Sequence, residues 1–312
     1  MKVLDLPKVA VVVPTYWCSG PGAQKHGPFD HPTPLGAPST LGRLLESLAL
    51  QKEVEFILIV VVAGCPPWVV PRAEAEVRRI LAPFRKLWPV LQLGRRETIS
   101  LREWAQRLGA PASALGLADY GQVRNLQLLA SLLLGAEVIV ALDDDEVLPP
   151  GYLKRAMELV GQRVDGAPVL GIAGVYRHAD GSYELPSAAP SGNPFLDKAS
   201  LINSALAQLL SCSERAVETP FAFGGSMVLH WQLARSVPFD PWIGRGEDID
   251  YVLSARLFGF RFWLDKELWV THLPPVEYRA SPCAILRRDV WRFLYQRAKL
   301  AAARTRGLIV DL

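Results

Sequence analysis

The strongest chemical signal in the sequence is the triplet Asp143, Asp144 and Asp145. It follows residues 138–142, a short apolar run typical of a buried strand. Because side chains two residues apart on a strand point to the same side, the carboxylates of Asp143 and Asp145 should emerge together. Two carboxylates that close repel each other unless a cation lies beside them, and oxygen ligands of this kind suit Mg²⁺ or Mn²⁺. The pattern predicts a divalent-cation site, with a solvated acidic loop as the alternative.

A second acidic pair, Glu247 and Asp248, lies within 244–250 at the start of a predicted helix. Glycines on both sides of Arg245 allow the backbone to approach closely, as it does at many binding sites. Acids in the first helical turn also cap free N–H groups at the positive end of the helix dipole, with no catalytic meaning. Both interpretations stay open on this segment alone.

Two weaker signals lie between and after these acidic groups. The pair Gly224 and Gly225 would let a ligand lie against the backbone, and a β-bulge explains it equally well. His272 follows an apolar, strand-like run and precedes Leu-Pro-Pro, so it should end a strand. A single histidine in such a place is more often structural than a ligand.

The apolar pattern around these residues predicts alternating strands and helices. Buried strands are predicted at 9–13, 56–62 and 138–142, and helices after Thr40 and at about 72–88, 122–134 and 151–161. Residues 169–177 and the turn at 180–181 predict a hairpin, whereas the proline-rich and glycine-rich segment 17–39 is predicted to be a long loop. Acidic residues at the carboxyl end of a parallel strand lie where open α/β sheets place their ligands.

Several motifs follow one another in an order that matches one known architecture. They are Val13-Pro14-Thr15-Tyr16, Arg124-Asn125, Leu142-Asp143-Asp144-Asp145, Gly224-Gly225-Ser226, Phe239-Asp240, Gly246-Glu247-Asp248-Ile249-Asp250, Gly259-Phe260-Arg261-Phe262-Trp263 and His272. In this order the sequence resembles the family 2 glycosyltransferases and their GT-A fold relatives, over roughly 8–64 and 120–275. The resemblance implies a three-layer α/β/α sandwich with a mostly parallel mixed sheet, which binds a nucleotide-sugar across the carboxyl ends of its strands.

The resemblance also implies a domain layout and a role for each matching residue. The GT-A domain would span 1–275, with a nucleotide-binding half at about 8–146 and an acceptor half at about 147–275. Residues 276–312 would form a basic amphipathic helical extension. Donor contacts are implied for Pro14, Thr15, Tyr16, Arg124, Asn125, Asp143, Asp144, Gly224 and Gly225. Asp145 and His272 would bind the divalent cation, Mg²⁺ or Mn²⁺.

The implied reaction is the transfer of a sugar, expected to be a hexose, from a nucleotide-diphosphate donor to an acceptor hydroxyl. Asp248 matches the general base of inverting members, and Glu247 would orient the acceptor or donor sugar. A carboxylate must lie within hydrogen-bond reach of the acceptor hydroxyl to take its proton, and a cation must neutralise the charge that develops on the leaving diphosphate.

Three other functions stay open. The first is a retaining GT-A enzyme such as a sugar-glycerate (compatible solute) synthase, and the second is a non-catalytic nucleotide-sugar-binding relic. The third is a nucleotidyltransferase, although 17–20 is a poor match to the basic glycine-rich loop of that class. Where many relatives end the second strand in aspartates that contact the base, this chain has 61–64, Val-Val-Ala-Gly, so the nucleobase cannot be inferred.

Composition excludes some partners and leaves others open. Of the 312 residues, 34 are basic and 31 acidic, and the net charge of +3 gives no sign of a nucleic-acid partner. The longest apolar run, 56–63, is too short to span a bilayer, so a cytoplasmic protein is predicted.

Residues 279–306 carry eight basic residues and one acid among aromatic side chains. Such a helix could contact the inner face of the membrane, with a lipid-linked acceptor, or could pack its aromatic side on the domain and leave its arginines solvated. Carbohydrates and small polar molecules are the other expected acceptors.

Overall fold

The β-branched runs form the centre of a mixed sheet. A computed structural model describes residues 6–20, 27–275 and 281–308. The strands are β1 (Val9–Cys18), β2 (Thr33–Pro34), β3 (Ile57–Cys65), β4 (Val90–Leu93), β5 (Val138–Ala141), β6 (Glu146–Val147), β7 (Arg163–Val164), β8 (Ala167–Pro168), β9 (Gly171–Arg177), β10 (Ala216–Glu218), β11 (Met227–His230) and β12 (Trp263–His272). The helices are α1 (Leu41–Leu48), α2 (Val70–Leu81), α3 (Arg95–Arg107), α4 (Tyr120–Leu133), α5 (Tyr152–Leu159), α6 (Lys198–Ser211), α7 (Trp231–Ser236), α8 (Glu247–Leu257) and α9 (Pro282–Thr305).

The main sheet has the strand order β10-β12-β9-β11-β5-β1-β3-β4. Strands β5, β1, β3 and β4 are mutually parallel, β9 and β12 are parallel to each other, and β11 runs antiparallel between β5 and β9. The carboxyl ends of β1 and β5 therefore lie at the same edge of the sheet.

Each face of the sheet buries a separate apolar cluster, because side chains alternate along the strands. Ala10 and Val12 point to the face covered by α4 and α8, whereas Val11 and Val13 point to the face covered by α1, α2 and α5. The predicted three-layer α/β/α sandwich on a mostly parallel mixed sheet is confirmed.

Strand β1 is longer than the sequence predicts. It was expected to end at Val13, before Pro14, but it continues to Cys18 and pairs with β3 as far as Cys65. Proline lacks an N–H and is tolerated only where a strand has a free side. The pairing of β1 with β5 ends at Val12, so Pro14 lies where β3 alone pairs with β1.

Two further predictions about the chain path were wrong. Residues 169–177 form β9 but make no hairpin across the turn at 180–181, since the sheet partners of β9 are β11 and β12. The segment 17–39 is not wholly a loop, because β2 pairs with the end of β1 and Phe29 is buried against Tyr16. The predicted helix 72–88 is α2 followed by a short 3-10 turn, and the other predicted strands and helices are found within a few residues of their expected ends.

Helix α9 docks on the body through charged side chains. Arg288 pairs with Asp30, and Lys299 Nζ lies 2.7 Å from Asp250 Oδ2. Trp291, by contrast, is 61% exposed. The expectation of an aromatic inner side and solvated arginines was therefore wrong for these positions, because buried acids on the body attract the cations inward. Of the predicted extension, 276–280 and 309–312 lie outside the described residues.

Among the helices in the described part of the chain, none is both long enough and apolar enough to cross a bilayer.

Candidate active site

A cavity of about 370 Å³ lies at the carboxyl ends of β1 and β5, beside the first turn of α8. Its volume falls within the range of small-molecule sites. The predicted site residues that line it are Tyr16, Arg124, Asp143, Asp144, Asp145, Gly224, Glu247, Asp248 and His272. Motifs distant in the sequence thus share one cavity.

Asp143 and Asp145 both line the cavity, but Asp144 lines it too, because β5 ends at Ala141 and the triplet follows it in a turn. The expected alternation along a strand therefore does not explain their placement. Asp143 accepts hydrogen bonds from Arg124 Nη2 at 2.7 Å and from the Tyr176 hydroxyl at 3.2 Å. Asp145 is almost fully buried, and its Oδ2 lies 3.3 Å from His272 Nε2. The two carboxylates therefore have different partners.

Burial and neighbouring charges shift the pKa values of this acidic cluster in different directions. Burial raises the pKa of Asp144 well above its usual value, with the charge of Asp145 adding to the effect. It also raises the pKa of Glu146, helped by Asp143 and Asp145. Burial acts on Asp145 too, but the hydrogen bond and charge of His272, together with the charge of His31, outweigh it and lower the pKa of Asp145. The ionised form is thus favoured at Asp145 and disfavoured at Asp144 and Glu146.

Asp145 and His272 are a suitable donor set for a divalent cation. Among the described residues, no group of three or more His, Cys, Asp or Glu side chains is arranged to hold a metal by itself. Mg²⁺ is commonly bound by one or two carboxylates, with substrate phosphates and water completing its shell. A carboxylate kept ionised beside an imidazole nitrogen fits that pattern, so this pair would hold the cation.

Arg124 connects the strand end to the helix start. Its guanidinium is buried, and Nε lies 3.4 Å from Glu247 Oε1 while Nη2 binds Asp143. Its third nitrogen, Nη1, is buried without a hydrogen-bond partner among the described residues. Nη1 can therefore donate to an acceptor atom of a bound molecule, because Arg124 lines the cavity.

The two glycines serve the protein's own close packing. A Cβ on Gly225 would overlap Glu146 Oε1 and lie 2.7 Å from Asp143 Cγ, and one on Gly224 would lie 2.6 Å from Arg124 Nη2. The Gly225 N–H donates to the Tyr176 hydroxyl at 2.7 Å. The backbone here lies against the charged cluster, which no other residue type would allow.

Asp248 and Glu247 begin α8 in different environments. Asp248 accepts the N–H of Gly224 at 2.9 Å through Oδ2 and that of Ile249 at 2.8 Å through Oδ1. Glu247 is buried, and burial, aided by the charge of Asp248 and opposed by Arg124, raises its pKa to about 7. Glu247 therefore changes its charge near neutral pH.

Four of the predicted donor-binding residues do not line the cavity: Pro14, Thr15, Asn125 and Gly225. The amide of Asn125 donates to the carbonyl oxygens of Ala114 and Phe239 and accepts the N–H of Phe239. It fixes the segment before α8 to α4. Thr15 is fully buried and accepts a hydrogen bond from Trp17 Nε1.

The cavity is also lined by polar residues that were not among the predicted site residues. They are Asp30, His31, Tyr120, Tyr176, Lys198, Arg245 and Arg292. Tyr176 stacks on both His272 and Phe223, with ring centroids 4.8 and 4.7 Å away. It reaches the cavity because β9 lies between β11 and β12, and no sequence motif indicates that strand order. The others come from α4, α6, α9 and the loops before β2 and α8.

No family model matches the sequence, and no curated protein matches it. Solved structures do match it, at low identity. A mannosyltransferase from Pyrobaculum calidifontis, in complex with GDP-Man and Mn²⁺, is 16% identical, covers 97% of this chain and 76% of its own, and has a TM-score of 0.49. Glucosyl-3-phosphoglycerate synthase from Mycobacterium tuberculosis, in complex with Mn²⁺ and UDP-Glc, is 18% identical, with coverages of 93% and 78% and a TM-score of 0.47.

A third solved structure belongs to another class of transferase. The inositol-1-phosphate CTP transferase from T. maritima is 11% identical, with coverages of 91% and 96% and a TM-score of 0.42. At such identities and TM-scores the likeness concerns the chain path alone. The chemistry must be argued from this chain's own side chains.

Proposed function

We propose that the protein is a metal-dependent glycosyltransferase that moves a sugar from a nucleotide-diphosphate donor to an acceptor hydroxyl. One observation carries the proposal: the Asp145–His272 pair and the Glu247–Asp248 pair line the same cavity, and Arg124 connects Asp143 to Glu247. Transfer from a nucleoside diphosphate needs a cation for the leaving group and a carboxylate within reach of the acceptor hydroxyl, and this cavity holds a candidate for each.

The donor end of the cavity comprises the cation ligands and Asp143. When bound at Asp145 and His272, Mg²⁺ or Mn²⁺ would neutralise the charge that the leaving nucleoside diphosphate acquires. Arg124 holds Asp143 in place and presents its unpaired Nη1, and Tyr16 offers an aromatic ring at the same wall. Asp143 would contact the ribose, as the family resemblance implies.

Asp248 is the proposed general base. Two backbone N–H groups fix its carboxylate, and each oxygen keeps a lone pair that can accept a proton. In the inverting reaction, the acceptor oxygen gives its proton to Asp248 and forms a bond to the anomeric carbon. The bond from that carbon to the diphosphate oxygen breaks, and its electron pair leaves with the nucleotide.

A retaining reaction is the second candidate, and the hydrogen bonds that Asp248 and Glu247 already make within the protein favour it. Both oxygens of Asp248 already accept hydrogen bonds, and Glu247 is paired with Arg124. Retaining enzymes need no base opposite the leaving group. The anomeric configuration of the product, measured by proton NMR, distinguishes the two reactions.

The test is turnover. The purified chain is incubated with Mn²⁺ and, in turn, UDP-, GDP- and ADP-linked hexoses, and release of the nucleoside diphosphate is measured with and without candidate acceptors. Release that depends on Mn²⁺ and is lost in Asp145→Ala supports the proposal. Binding of a nucleotide-sugar without release of diphosphate, over carbohydrate, small polar and lipid-linked acceptors, would instead support a binding protein.

Membrane contact through α9 stays a prediction. The outward side of the helix presents Trp291 and Leu294, which are 61% and 56% exposed, beside the exposed Arg287. Trp and Arg side by side suit an anionic bilayer surface. Co-sedimentation with vesicles containing anionic lipid tests this, with vesicles of neutral lipid as the comparison.

A further inference from the structure

We infer that the end of the cavity formed by Lys198, Arg245 and Arg292 is an anion subsite for the acceptor, which would carry a phosphate or carboxylate group. All three side chains line the cavity, from α6, the loop before α8 and α9. The inference rests on the proposed function, because it names the acceptor class of that transferase.

The charges at this end do not balance. Asp289 Oδ1 lies 2.7 Å from Arg245 Nη1 and 3.7 Å from Arg292 Nη2, and its Oδ2 lies 2.8 Å from Lys198 Nζ. Asp30 pairs with Arg245. Three cations thus share two carboxylates, and one of these, Asp30, is also paired with Arg288. An oxyanion would supply the missing negative charge.

Arg292 has one nitrogen without a partner. Its side chain is 4% exposed, and although Nη2 lies 3.7 Å from Asp289 Oδ1, Nε is buried without a hydrogen-bond partner among the described residues. The guanidinium lies against the left-handed Gly246, where any Cβ would overlap it, and Gly246 is the N-cap of α8. Arginine donates to phosphate or carboxylate in a planar, paired geometry, so a buried guanidinium whose Nε–H is unused suits an anion.

The position of the subsite assigns it to the acceptor. A chain of contacts runs from Asp143 through Arg124 and Glu247 to Gly246 and then to Arg292. Gly246 and Glu247, at the start of α8, therefore lie between Arg292 and Arg124 along this chain of contacts. An acceptor anchored at Arg292 lies next to the segment that carries Asp248, whereas the donor diphosphate is assigned to the proposed cation ligands, Asp145 and His272.

The crowding of positive charge has a visible electrostatic effect. The pKa of Lys198 is lowered, first by burial and then by the charge of Arg245, although Asp289 acts in the opposite direction. Removal of one cation should therefore be tolerated by the fold better than removal of Asp289. This makes Lys198→Gln a suitable test variant beside Arg292→Lys, which keeps the charge and changes the geometry.

The experiment measures binding of inorganic phosphate and of acetate to the full chain by ³¹P and ¹³C NMR line broadening, in EDTA and without nucleotide. We expect Lys198→Gln and Arg292→Lys each to raise the Kd for phosphate by about tenfold or more. Arg297→Gln, an exposed position on the same helix, is the matched control and should leave the Kd unchanged. Equal binding in all variants would overturn the inference, and so would a lower melting temperature without any change in Kd, since the cations would then only clamp α9.

A second measurement tests whether the anion subsite serves the acceptor or the donor. The Kd of the nucleotide with Mn²⁺, for whichever nucleoside diphosphate binds, should change less than about twofold in Lys198→Gln if the subsite serves the acceptor. A tenfold loss would assign the cations to the diphosphate of the donor and overturn the acceptor assignment. Phosphate binding that persists in a chain unable to bind any nucleotide would keep the subsite and reject the glycosyltransferase.

Discussion

Asp145 Oδ2 lies 3.3 Å from His272 Nε2 because a short antiparallel pairing aligns the two chain segments. Strand β6, which follows the acidic triplet, pairs with the end of β12, with Glu146 opposite His272. The N–H of Leu273 also donates to the carbonyl oxygen of Asp145 at 2.9 Å. The backbone therefore fixes both proposed cation ligands, so the pair can bind a divalent cation without rearrangement of either strand.

Loss of the cation ligand should abolish metal-dependent nucleotide binding. In Asp145→Ala, His272 alone cannot hold Mg²⁺ or Mn²⁺ against water, so we expect a drop in affinity for the nucleoside diphosphate of at least about tenfold in Mn²⁺. Calorimetric titration measures it. Glu103→Ala, an exposed acid on α3, is the control for a lost negative charge and should titrate like the unmodified chain.

Substitution of the proposed base should separate binding from catalysis. Asp248→Asn keeps one acceptor oxygen, for the N–H of Gly224, and loses the one that accepts the N–H of Ile249. Its amide cannot take a proton, so kcat should fall by about 10² to 10⁴-fold. The Kd of the donor should stay within about twofold of its original value. Substantial turnover in this variant, with retention at the anomeric carbon, would remove Asp248 as base and favour the retaining reaction.

Glu247 should make the fold less stable as the pH rises. Its pKa is raised in the folded state from 4.5 to about 7, so between these values the folded chain binds a proton that the unfolded chain has lost. Stability from this group is complete at low pH and declines through pH 7, by about 2 kcal/mol between pH 5 and 8. Glu247→Gln should remove that component. Urea unfolding of both proteins at the two pH values measures it, and equal slopes with pH would contradict the account.

A methyl group at Gly225 should disrupt the acidic cluster. Gly225→Ala would place a Cβ 2.6 Å from the Tyr176 hydroxyl and 2.7 Å from Asp143 Cγ, and we expect a loss of about 1 to 3 kcal/mol of stability together with weaker nucleotide binding. Gly42→Ala is the control, because a Cβ there meets nothing within 4 Å and lies in a helix. If both variants have the same melting temperature, the prediction that close packing at Gly225 excludes a Cβ is wrong.

The sequence predicted the parts of the site that depend on local order. The apolar run before Asp143 predicted β5, and the acids that follow this strand line the cavity. The 2-residue period does not explain their placement, because β5 ends at Ala141 and Asp144 lines the cavity as well. The glycines around Arg245 and the acids after them correctly located the start of α8.

The remainder depends on contacts between distant elements. Tyr176 and Arg292 carry no motif, and they line the cavity because β9 lies inside the sheet and α9 docks on the body through its cations. Lys198 carries no motif either and reaches the cavity from α6. Asn125, by contrast, matches a family motif in the sequence but does not line the cavity. Its amide instead donates hydrogen bonds to the backbone carbonyl oxygens of Ala114 and Phe239.

The central claim is that Asp145 and His272 hold a divalent cation on the diphosphate of a nucleotide. Calorimetric titration of the purified chain with UDP, GDP and ADP, first with Mn²⁺ and then with EDTA, tests it most directly. The account predicts that one of these nucleotides binds in Mn²⁺ and that its binding is lost in EDTA. Equal binding in EDTA, or no binding of any of the three, would contradict it.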